Sequence, residues 1–284
     1  QPQERALVKR DPFDGKVVFI TGAASGIGRA LASALTKRGA VLLLADIDAD
    51  LLERTAWALG GEGNDVHVFP LDVRKSGNWE HVAAEVYQRF SQVDFFFNNA
   101  GIAVAGLVRD TPLDDWERLF EVNVLGVVRG VDAFYPRMRD QGHGHIVNTA
   151  SISGLVPTSL MAAYSASKHA VVAFSETLRA EAESDGIHVS VICPGIIDTP
   201  MAHTTELRGG GSEGVLGKLP GPPFPVEEAV KQILAGVAKR RGIIVIPKEA
   251  NALWRAYRKS PEAMLRINQK TVGWLRKLTG ADKT

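Results

Sequence analysis

Cysteine is almost absent from the sequence, since Cys193 is the single one in 284 residues. An intramolecular disulfide is therefore excluded, and a chain without disulfides is typical of a reducing compartment, so we expect a cytoplasmic protein. No apolar run reaches the 18 residues that a membrane-spanning helix needs. Residues 1–14 are polar and lack the apolar stretch of a signal peptide, so we expect a loose N-terminal arm there.

An excess of charge of either sign is also lacking, because the formal net charge is +1. A balanced chain presents no strong global field to nucleic acid, so we do not expect a nucleic-acid-binding function. The seven histidines show no spacing typical of metal ligands, and we predict no metal site.

Short apolar runs alternate along the chain with longer segments of helical periodicity. Nearly continuous apolar runs are typical of strands buried on both faces of a parallel sheet. The predicted strands are 16–20, 41–45, 66–70, 93–97, 145–148, 189–192 and 243–246. The predicted helices are 29–38, 50–59, 79–90, 114–139, 162–184 and 226–239. This alternation predicts an α/β fold with a doubly wound, seven-stranded parallel sheet of the Rossmann type, flanked by helices.

The alternating pattern covers residues 15–247 and predicts one domain, with two departures from the pattern. Residues 199–225 are rich in glycine and proline, and we expect a lid there because lids need hinges and low local stability. Residues 248–284 form a basic C-terminal extension that we expect to be helical.

A glycine-rich turn, Thr21-Gly-Ala-Ala-Ser-Gly-Ile-Gly28, follows the first predicted strand and precedes a helix. Glycines let the backbone approach a pyrophosphate, and the helix N-terminus offers free N–H groups and positive partial charge. A tight strand-to-helix connection is the alternative interpretation. The G-x-x-x-G-x-G spacing differs from the general G-x-G-x-x-G dinucleotide motif, so the turn alone does not decide between the two.

An aspartate, Asp46, lies at the tip of the second predicted strand. A carboxylate there can accept hydrogen bonds from both hydroxyls of an adenosine ribose and would repel a 2′-phosphate. Neither Ile47 nor Ser25 offers a positive charge to such a phosphate. The pattern favours NAD over NADP, although Asp46 could instead cap the following helix, a role that Asp48 or Asp50 could also fill.

Tyr164 and Lys168 lie four residues apart in a predicted helix, so both side chains share one face. A phenol with a pKa near ~10 is a poor base at neutral pH, and a neighbouring ammonium would lower that pKa. By itself this spacing also fits an ordinary pair on a helix surface. Ser151, however, follows a predicted strand, as do the glycine turn and Asp46. The carboxyl ends of parallel strands meet at one sheet edge, where ligands bind.

Taken together, these residues make the chain similar to the short-chain dehydrogenase/reductase family, of the NAD-preferring Tyr-x-x-x-Lys type, over residues 15–247. The motifs that carry the resemblance stand in the family's order. They are the glycine turn, Leu71-Asp72-Val73, Asn98-Asn-Ala-Gly101, Asn123, Ser151, Tyr164-x-x-x-Lys168 and Pro194-Gly-Ile-Ile-Asp-Thr199.

The resemblance implies a role for each catalytic position. Tyr164 would be the general acid/base and Ser151 would hold the substrate oxygen. Lys168 would bind the nicotinamide ribose and lower the pKa of Tyr164. Asn123 would hold a water that links Lys168 to solvent, although it could also be a tolerated polar residue within a helix.

The resemblance also implies a set of cofactor-binding residues. Asp72 and Val73 would contact adenine, and the Ile197 backbone and the Thr199 hydroxyl would position the carboxamide. The remaining implied NAD-binding residues are Gly22, Ser25, Gly26, Ile27, Gly28, Asp46, Ile47, Asn99, Ala100, Gly101, Tyr164, Lys168, Pro194 and Gly195.

The substrate pocket is expected to be apolar and without charged residues. Its predicted lining is Ile102, Val104, Leu155, Val156, Leu160, Met161 and Met201, although the same residues could simply pack the core. An apolar pocket favours hydride transfer to or from a hydrophobic secondary alcohol or ketone, such as a steroid, retinoid, lipid or aromatic alcohol. The alternatives are a catalytically silent nicotinamide-binding regulator and a same-fold epimerase or dehydratase.

The C-terminal extension carries nine basic and three acidic residues, a net charge of +6 that leaves −5 on residues 1–247. Met264, Ile267, Thr271, Trp274 and Leu278 recur at helical spacing and predict one apolar face. Docking on protein is the favoured interpretation, either near the lid or across a subunit interface. Peripheral contact with an anionic membrane is the alternative. The family resemblance implies a homodimer or homotetramer.

Overall fold

The structure, a computed structural model, describes residues 11–60, 64–205, 207–209 and 222–279, without the side chains of 274–279. Seven parallel strands form one sheet in the order β3-β2-β1-β4-β5-β6-β7. They are β1 (Val17–Thr21), β2 (Val41–Asp46), β3 (Val66–Pro70), β4 (Phe95–Asn98), β5 (Gly144–Thr149), β6 (Ile187–Pro194) and β7 (Ile243–Ile246). The predicted doubly wound parallel sheet is therefore confirmed, and the strand order reverses direction between β1 and β4.

Helices cover both faces of the sheet. They are α1 (Gly26–Thr36), α2 (Ala49–Leu59), α3 (Ser76–Arg89), α4 (Leu113–Phe120), α5 (Gly126–Gln141), α6 (Ala162–Ala182), α7 (Pro200–Thr204), α8 (Val226–Ala238), α9 (Lys248–Lys259) and α10 (Pro261–Thr279). The helix predicted at 114–139 is interrupted, because a π-helical turn at Glu121–Leu125 joins α4 to α5.

Successive side chains along each strand point to opposite faces of the sheet, which gives two core layers. In β2, Leu42 and Leu44 pack with α1 and α8, whereas Leu43 packs with α3 and α5 on the other face. All three leucines are completely buried. Burial on both faces explains why the strands look like continuous apolar runs in the sequence, and it leaves polar residues to the strand ends.

Helix α1 begins at Gly26, three residues earlier than predicted. The difference arises because the glycine-rich turn itself supplies the first helical residues, which the apolar periodicity does not mark. The helix N-terminus consequently lies directly beyond β1, inside the turn that we expect to bind phosphate.

Two of the predicted peripheral segments are described only in part. Residues 1–10 of the N-terminal arm lie outside the described residues, as do residues 206 and 210–221 of the predicted lid. The lid and residues 1–10 of the arm therefore remain predictions. The prediction of a loose arm is wrong at its end, because Phe13 is completely buried in an apolar core cluster. The start of the lid segment is the short helix α7, which begins with Pro200 at its first turn.

The C-terminal extension folds as α9 and α10, and α10 contacts the body of the protein. Met264 is only 6% exposed and packs with Leu155 and Val156. The predicted apolar face is wrong at Ile267, which is 54% exposed, because Asn268 and not Ile267 turns toward the protein. The side chains of Trp274 and Leu278 lie outside the described residues. None of the helices in the described ranges is long and apolar enough to cross a bilayer.

A buried histidine at the start of β5 makes the fold sensitive to acid. His145 is 4% exposed, and its Nε2 lies 2.8 Å from the Ser190 hydroxyl, which donates to the Arg241 carbonyl. Ser190 therefore accepts from Nε2, and burial lowers the pKa of His145 to about 3. An unfolded histidine has a pKa near ~6.5, so the unfolded chain binds the extra proton below that pH.

Acidification from pH 6.5 to pH 5 should therefore lower the free energy of unfolding by about 2 kcal/mol through His145 alone. Urea denaturation at both pH values measures this loss, which the His145→Asn variant should largely lack. The exposed His81→Asn variant is the control and should keep the full acid-dependent loss. Equal losses in wild type and His145→Asn would contradict the expectation.

Candidate active site

The turn between β1 and α1 needs glycine for backbone reasons. Gly22 and Gly26 have φ values of +65° and +52°, in the left-handed region that other residues rarely adopt. A Cβ on Gly28 would lie 2.0 Å from the Gly22 carbonyl oxygen. Ser25 is the N-cap residue of α1 and makes no side-chain cap hydrogen bond there. The turn is thus a tight backbone cradle at a helix N-terminus.

Asp46 at the end of β2 ties its strand to this cradle. Its carboxylate oxygens accept hydrogen bonds from Ala24 N at 3.0 Å and from Asp48 N at 3.1 Å. Asp48, and not Asp46, is the N-cap residue of α2, and its side chain accepts from Leu51 N. The carboxylate of Asp46 is therefore not used as a helix cap and lies beside the glycine turn.

The ends of β1, β4 and β5 are joined by Asn99 and Thr21. The Thr21 hydroxyl accepts from Asn99 N and Ala100 N, and the Asn99 amide donates to the Thr21 carbonyl at 3.0 Å. Thr149 donates to Asn99 Oδ1 at 3.2 Å. Thr21 and Thr149 were missed as site residues, because a threonine at a strand end has no distinctive sequence signal.

Asn123 lies in the π-helical turn and is completely buried. Its Oδ1 accepts from Ile102 N at 2.9 Å, and its Nδ2 donates to the Ile102 carbonyl and the Ser167 hydroxyl. Both amide hydrogens are therefore engaged by protein. The side chain fixes the segment after β4 beside Lys168, since a Cβ on Gly101 would lie 3.1 Å from Asn123 Oδ1 and 3.2 Å from Lys168 Nζ.

Ser151, Tyr164 and Lys168 come together at the carboxyl ends of β5 and β6. Lys168 is 3% exposed, donates to the Thr149 carbonyl at 3.0 Å, and its Nζ lies 5.8 Å from the centre of the Tyr164 ring. The Ser151 hydroxyl donates to the Pro194 carbonyl at 3.4 Å and accepts from Ser153 N at 3.1 Å, and it is close enough to Tyr164 to lower the pKa of that phenol. A phenol, a hydroxyl and an amine therefore converge on one point.

Burial dominates the electrostatics of this cluster. Burial raises the pKa of Tyr164, and the hydrogen bond with Ser151 offsets only part of that rise. Burial also lowers the pKa of Lys168 to about 8. Removing the phenolate from water therefore outweighs the effect of the protein's own neighbours on the Tyr164 pKa. The lowering of that pKa by Lys168 together with an oxidised nicotinamide stays a prediction.

A single cavity of about 1070 Å³ connects the glycine turn to this cluster. It is lined by nearly all of the predicted site residues, from the cofactor side to the catalytic side. These are Gly22, Ser25, Gly26, Ile27, Asp46, Ile47, Asp72, Val73, Asn99, Ala100, Gly101, Ser151, Tyr164, Lys168, Pro194, Gly195, Ile197 and Thr199. Gly28 and Asn123 do not line the cavity, and they contact residues that do.

The predicted substrate lining is only partly right. Ile102, Met161 and Met201 line the cavity, whereas Val104, Leu155, Val156 and Leu160 do not and instead pack in apolar clusters. The sequence pattern does not show which way these four side chains point, and in the structure they pack against apolar neighbours and not along the cavity wall.

Charged residues also line the cavity, contrary to the prediction. Arg74 lies on the wall and binds the Asp72 carboxylate through Nε and Nη2, which holds the pKa of Asp72 below its ordinary value. Arg118 lies on the wall and donates to Asp115 at 3.0 Å. Glu249 of α9 lines the cavity as well. Within the described ranges, no three His, Cys, Asp or Glu side chains cluster closely enough to hold a metal ion.

Known proteins resemble the chain in sequence. Residues 16–208 match the family model described as short chain dehydrogenase. Probable oxidoreductase EphD of Mycobacterium tuberculosis is 34% identical over 265 residues, which cover 90% of this chain. The chain spans about half, 45%, of the length of that relative.

Solved structures resemble the chain in fold. A short-chain dehydrogenase/reductase from Burkholderia phymatum, in complex with NAD, has a TM-score of 0.80 and 32% identity, with coverage of 89% of this chain and 96% of that one. A short-chain dehydrogenase from Sphingobium yanoikuyae, in complex with NADPH, has a TM-score of 0.74 and 27% identity, with coverage of 88% and 95%. The chain therefore belongs to the short-chain dehydrogenase family.

Proposed function

We propose that this protein transfers hydride between NAD(H) and a hydrophobic secondary alcohol or ketone, with Tyr164 as the general acid/base. One observation carries the proposal. Tyr164, Ser151 and Lys168 lie on the wall of the same cavity as the glycine turn and Asp46. A dinucleotide held on the turn can therefore extend through that cavity to the hydroxyl cluster.

The residues present fit a nicotinamide dinucleotide. The cradle has no room for a Cβ at Gly22 or Gly28, and Gly26 has a left-handed backbone. The N-terminus of α1 supplies positive partial charge for the pyrophosphate. When bound, the nicotinamide supplies the hydride acceptor or donor. The cavity residues Asp72 and Val73 would lie along the adenine, and Ile197 and Thr199 along the carboxamide.

NAD is the preferred form because Asp46 stands at the tip of β2. Its carboxylate can accept from ribose hydroxyls and would repel a 2′-phosphate. The neighbouring Ile47 is 63% exposed and uncharged. Arg74 on the cavity wall could attract a 2′-phosphate, but its guanidinium is already engaged by Asp72.

The chain's own groups handle the proton at the substrate oxygen. In alcohol oxidation, Tyr164 would take the proton of the substrate hydroxyl while the carbon that carries this hydroxyl gives its hydride to the nicotinamide. In ketone reduction, Tyr164 would return the proton to the oxygen. Ser151 would donate a hydrogen bond to that oxygen in place of its long, 3.4 Å bond to the Pro194 carbonyl. The charge of Lys168, whose Nζ lies 5.8 Å from the centre of the Tyr164 ring, would favour the phenolate form together with an oxidised nicotinamide.

A hydrophobic substrate is favoured by the remaining wall of the cavity. The apolar part of this wall includes Ile102, Ala103, Ile152, Met161, Met201 and Leu253. The charged side chains in this region are paired, Arg118 with Asp115 and Glu249 with Lys248. Arg118 shares Asp115 with Arg208, so the preference for a hydrophobic substrate over a sugar phosphate or a hydroxy acid rests on the apolar residues of this wall.

The test is a screen of hydrophobic secondary alcohols with NAD, followed by the absorbance of the reduced cofactor. The panel contains an aromatic alcohol such as 1-phenylethanol, a steroid alcohol and a long-chain 2-alkanol, with a sugar phosphate and a hydroxy acid as polar comparisons. Turnover of one or more hydrophobic alcohols, with NAD preferred, is the expected result. Turnover confined to the polar compounds, or NADP preference, would overturn the proposed substrate class or cofactor respectively.

Asp46→Ala should lower the preference for NAD over NADP by about 10- to 100-fold, the contribution of one or two hydrogen bonds to a charged group. Both the ribose hydrogen bonds and the repulsion of a 2′-phosphate disappear with the carboxylate. Binding of NADH and NADPH, followed by fluorescence, measures the ratio. Asp50→Ala, on the exposed first turn of α2, removes the same charge nearby and should leave the ratio unchanged. A native protein that already binds NADPH better would contradict this role for Asp46.

A further inference from the structure

We propose that Asn268 on α10 is a positioning residue for the loop 155–161, which joins Ser151 to Tyr164 and forms part of the substrate wall. The inference rests on the proposed function for its catalytic meaning. It concerns a residue in the C-terminal extension, far along the chain from the catalytic positions.

Two hydrogen bonds join α10 to this loop. Asn268 Nδ2 donates to the Pro157 carbonyl at 2.9 Å, and the Ser159 hydroxyl donates to the Asn268 carbonyl at 3.1 Å. One turn earlier on α10, Met264 is buried against Leu155 and Val156. The helix thus holds the loop by a side-chain donor, a main-chain acceptor and an apolar contact.

The held loop leads directly to the reacting groups. Between the two residues that α10 contacts lies Thr158, which lines the cavity and bonds to the Ser153 hydroxyl at 2.9 Å. The Ser153 backbone N–H donates to Ser151 Oγ at 3.1 Å. Asn268 is therefore connected to the Ser151 hydroxyl by hydrogen bonds and by the peptide bond between Pro157 and Thr158.

The backbone of the loop needs such support. Leu160 has φ +63°, a left-handed conformation that costs energy for a branched, non-glycine residue. Its carbonyl accepts from Gly106 N at 2.7 Å. Such a conformation persists only where the surroundings over-determine it. The loop is held between Gly106 and α10, and Met161 beyond Leu160 lines the cavity as a result.

The experiment compares three variants in the full chain. Asn268→Ala removes the side-chain donor, and Ser159→Ala cuts the second bond without touching α10. Gln269→Ala, at the exposed next position of the same helix, is the matched control. The readouts are amide hydrogen exchange of the 155–161 peptide without added cofactor, the KM for 1-phenylethanol or another alcohol oxidised in the screen, and the Kd for NADH.

Asn268→Ala and Ser159→Ala should each accelerate exchange in 155–161 about fivefold, as expected for one lost hydrogen bond, and leave β1 and β2 unchanged. Each should also raise the KM for the alcohol several-fold, with kcat within about twofold and the Kd for NADH unaltered, because α6 and the glycine turn are untouched. Gln269→Ala should match wild type in every readout.

Exchange in Asn268→Ala that equals the exchange in Gln269→Ala would overturn the proposal, as would faster exchange without a change in KM. A wild-type protein that oxidises none of the alcohols would instead refute the proposed function. In that case the exchange rates alone decide whether Asn268 holds the loop, so the two failures are distinguishable.

Discussion

Tyr164→Phe is expected to lower kcat for alcohol oxidation by roughly 10³-fold or more, while the Kd for NADH stays within about threefold of wild type. Phenylalanine keeps the ring and its packing but cannot carry a proton. General acid–base catalysis contributes ~10²–10⁴-fold, and the hydrogen bond to the developing alkoxide is lost with the same hydroxyl.

The expected effect is large because no neighbouring group can replace the phenol. Ser151 is a hydroxyl already bonded to Ser153 N, and the amine of Lys168 is bonded to the Thr149 carbonyl. Burial raises the pKa of Tyr164, so formation of the phenolate that accepts the alcohol proton depends on nearby positive charge. Removing its oxygen therefore removes the only phenolic proton acceptor in this cluster.

Initial rates of NADH formation measure kcat, and fluorescence of bound NADH measures cofactor retention. Tyr257→Phe is the matched control, since it makes the same substitution at a partly buried ring in an apolar cluster outside the cavity wall. This control should keep wild-type kcat. A Tyr164→Phe protein with turnover close to wild type would remove Tyr164 from the role of acid/base.

Gly28→Ala is expected to weaken NADH binding by about 100-fold. The added Cβ would lie 2.0 Å from the Gly22 carbonyl oxygen and 2.7 Å from the Gly22 carbonyl carbon, so backbone atoms must move. Forcing a methyl group into a packed site costs ~1–3 kcal/mol, and here the displaced atoms form the cradle itself. The first turn of α1 would then no longer present its N–H groups to the pyrophosphate.

Binding of NADH followed by fluorescence measures this loss, and circular dichroism shows whether the fold is retained. Gly77→Ala is the matched control, because a Cβ on that α3 residue meets nothing within 4 Å. Alanine also favours a helix over glycine by up to ~1 kcal/mol, so this control should be as stable as wild type or slightly more stable. Wild-type NADH affinity in a folded Gly28→Ala protein would show that the turn is a connection and not a cofactor cradle.

Much of the fold could be predicted from local pattern. The apolar runs at β1, β2 and β7 indicated buried parallel strands because such strands have no polar face to interrupt the run. Asp46, Ser151 and Pro194 follow or end strands in the sequence, and a parallel sheet gathers those ends at one edge. This reasoning needs only chain order and strand direction, and it places the glycine turn, Asp46 and Ser151 at one edge of the sheet. The individual contacts to adenine and carboxamide were implied by the family resemblance.

Other features depend on contacts between distant segments and carry no local signal. The seven-residue spacing between Met264 and Thr271 does not reveal which face of α10 turns inward. The hydrogen bonds with Pro157 and Ser159 show that the face with Asn268 turns inward. Arg118 similarly looks like a surface residue of an amphipathic helix, and only the position of α4 brings it to the cavity wall.

The order of elements, the strand-end motifs and the glycine turn follow from the sequence alone, because burial and backbone freedom are properties of residue types. The sign of the Tyr164 pKa shift, the engagement of Asn123 by Ile102 and Ser167, and the support of loop 155–161 by α10 were decided only by the tertiary structure. Each of these depends on the distance and desolvation of groups that lie far apart in the chain. Such distances are set by packing and not by the chemistry of any one segment.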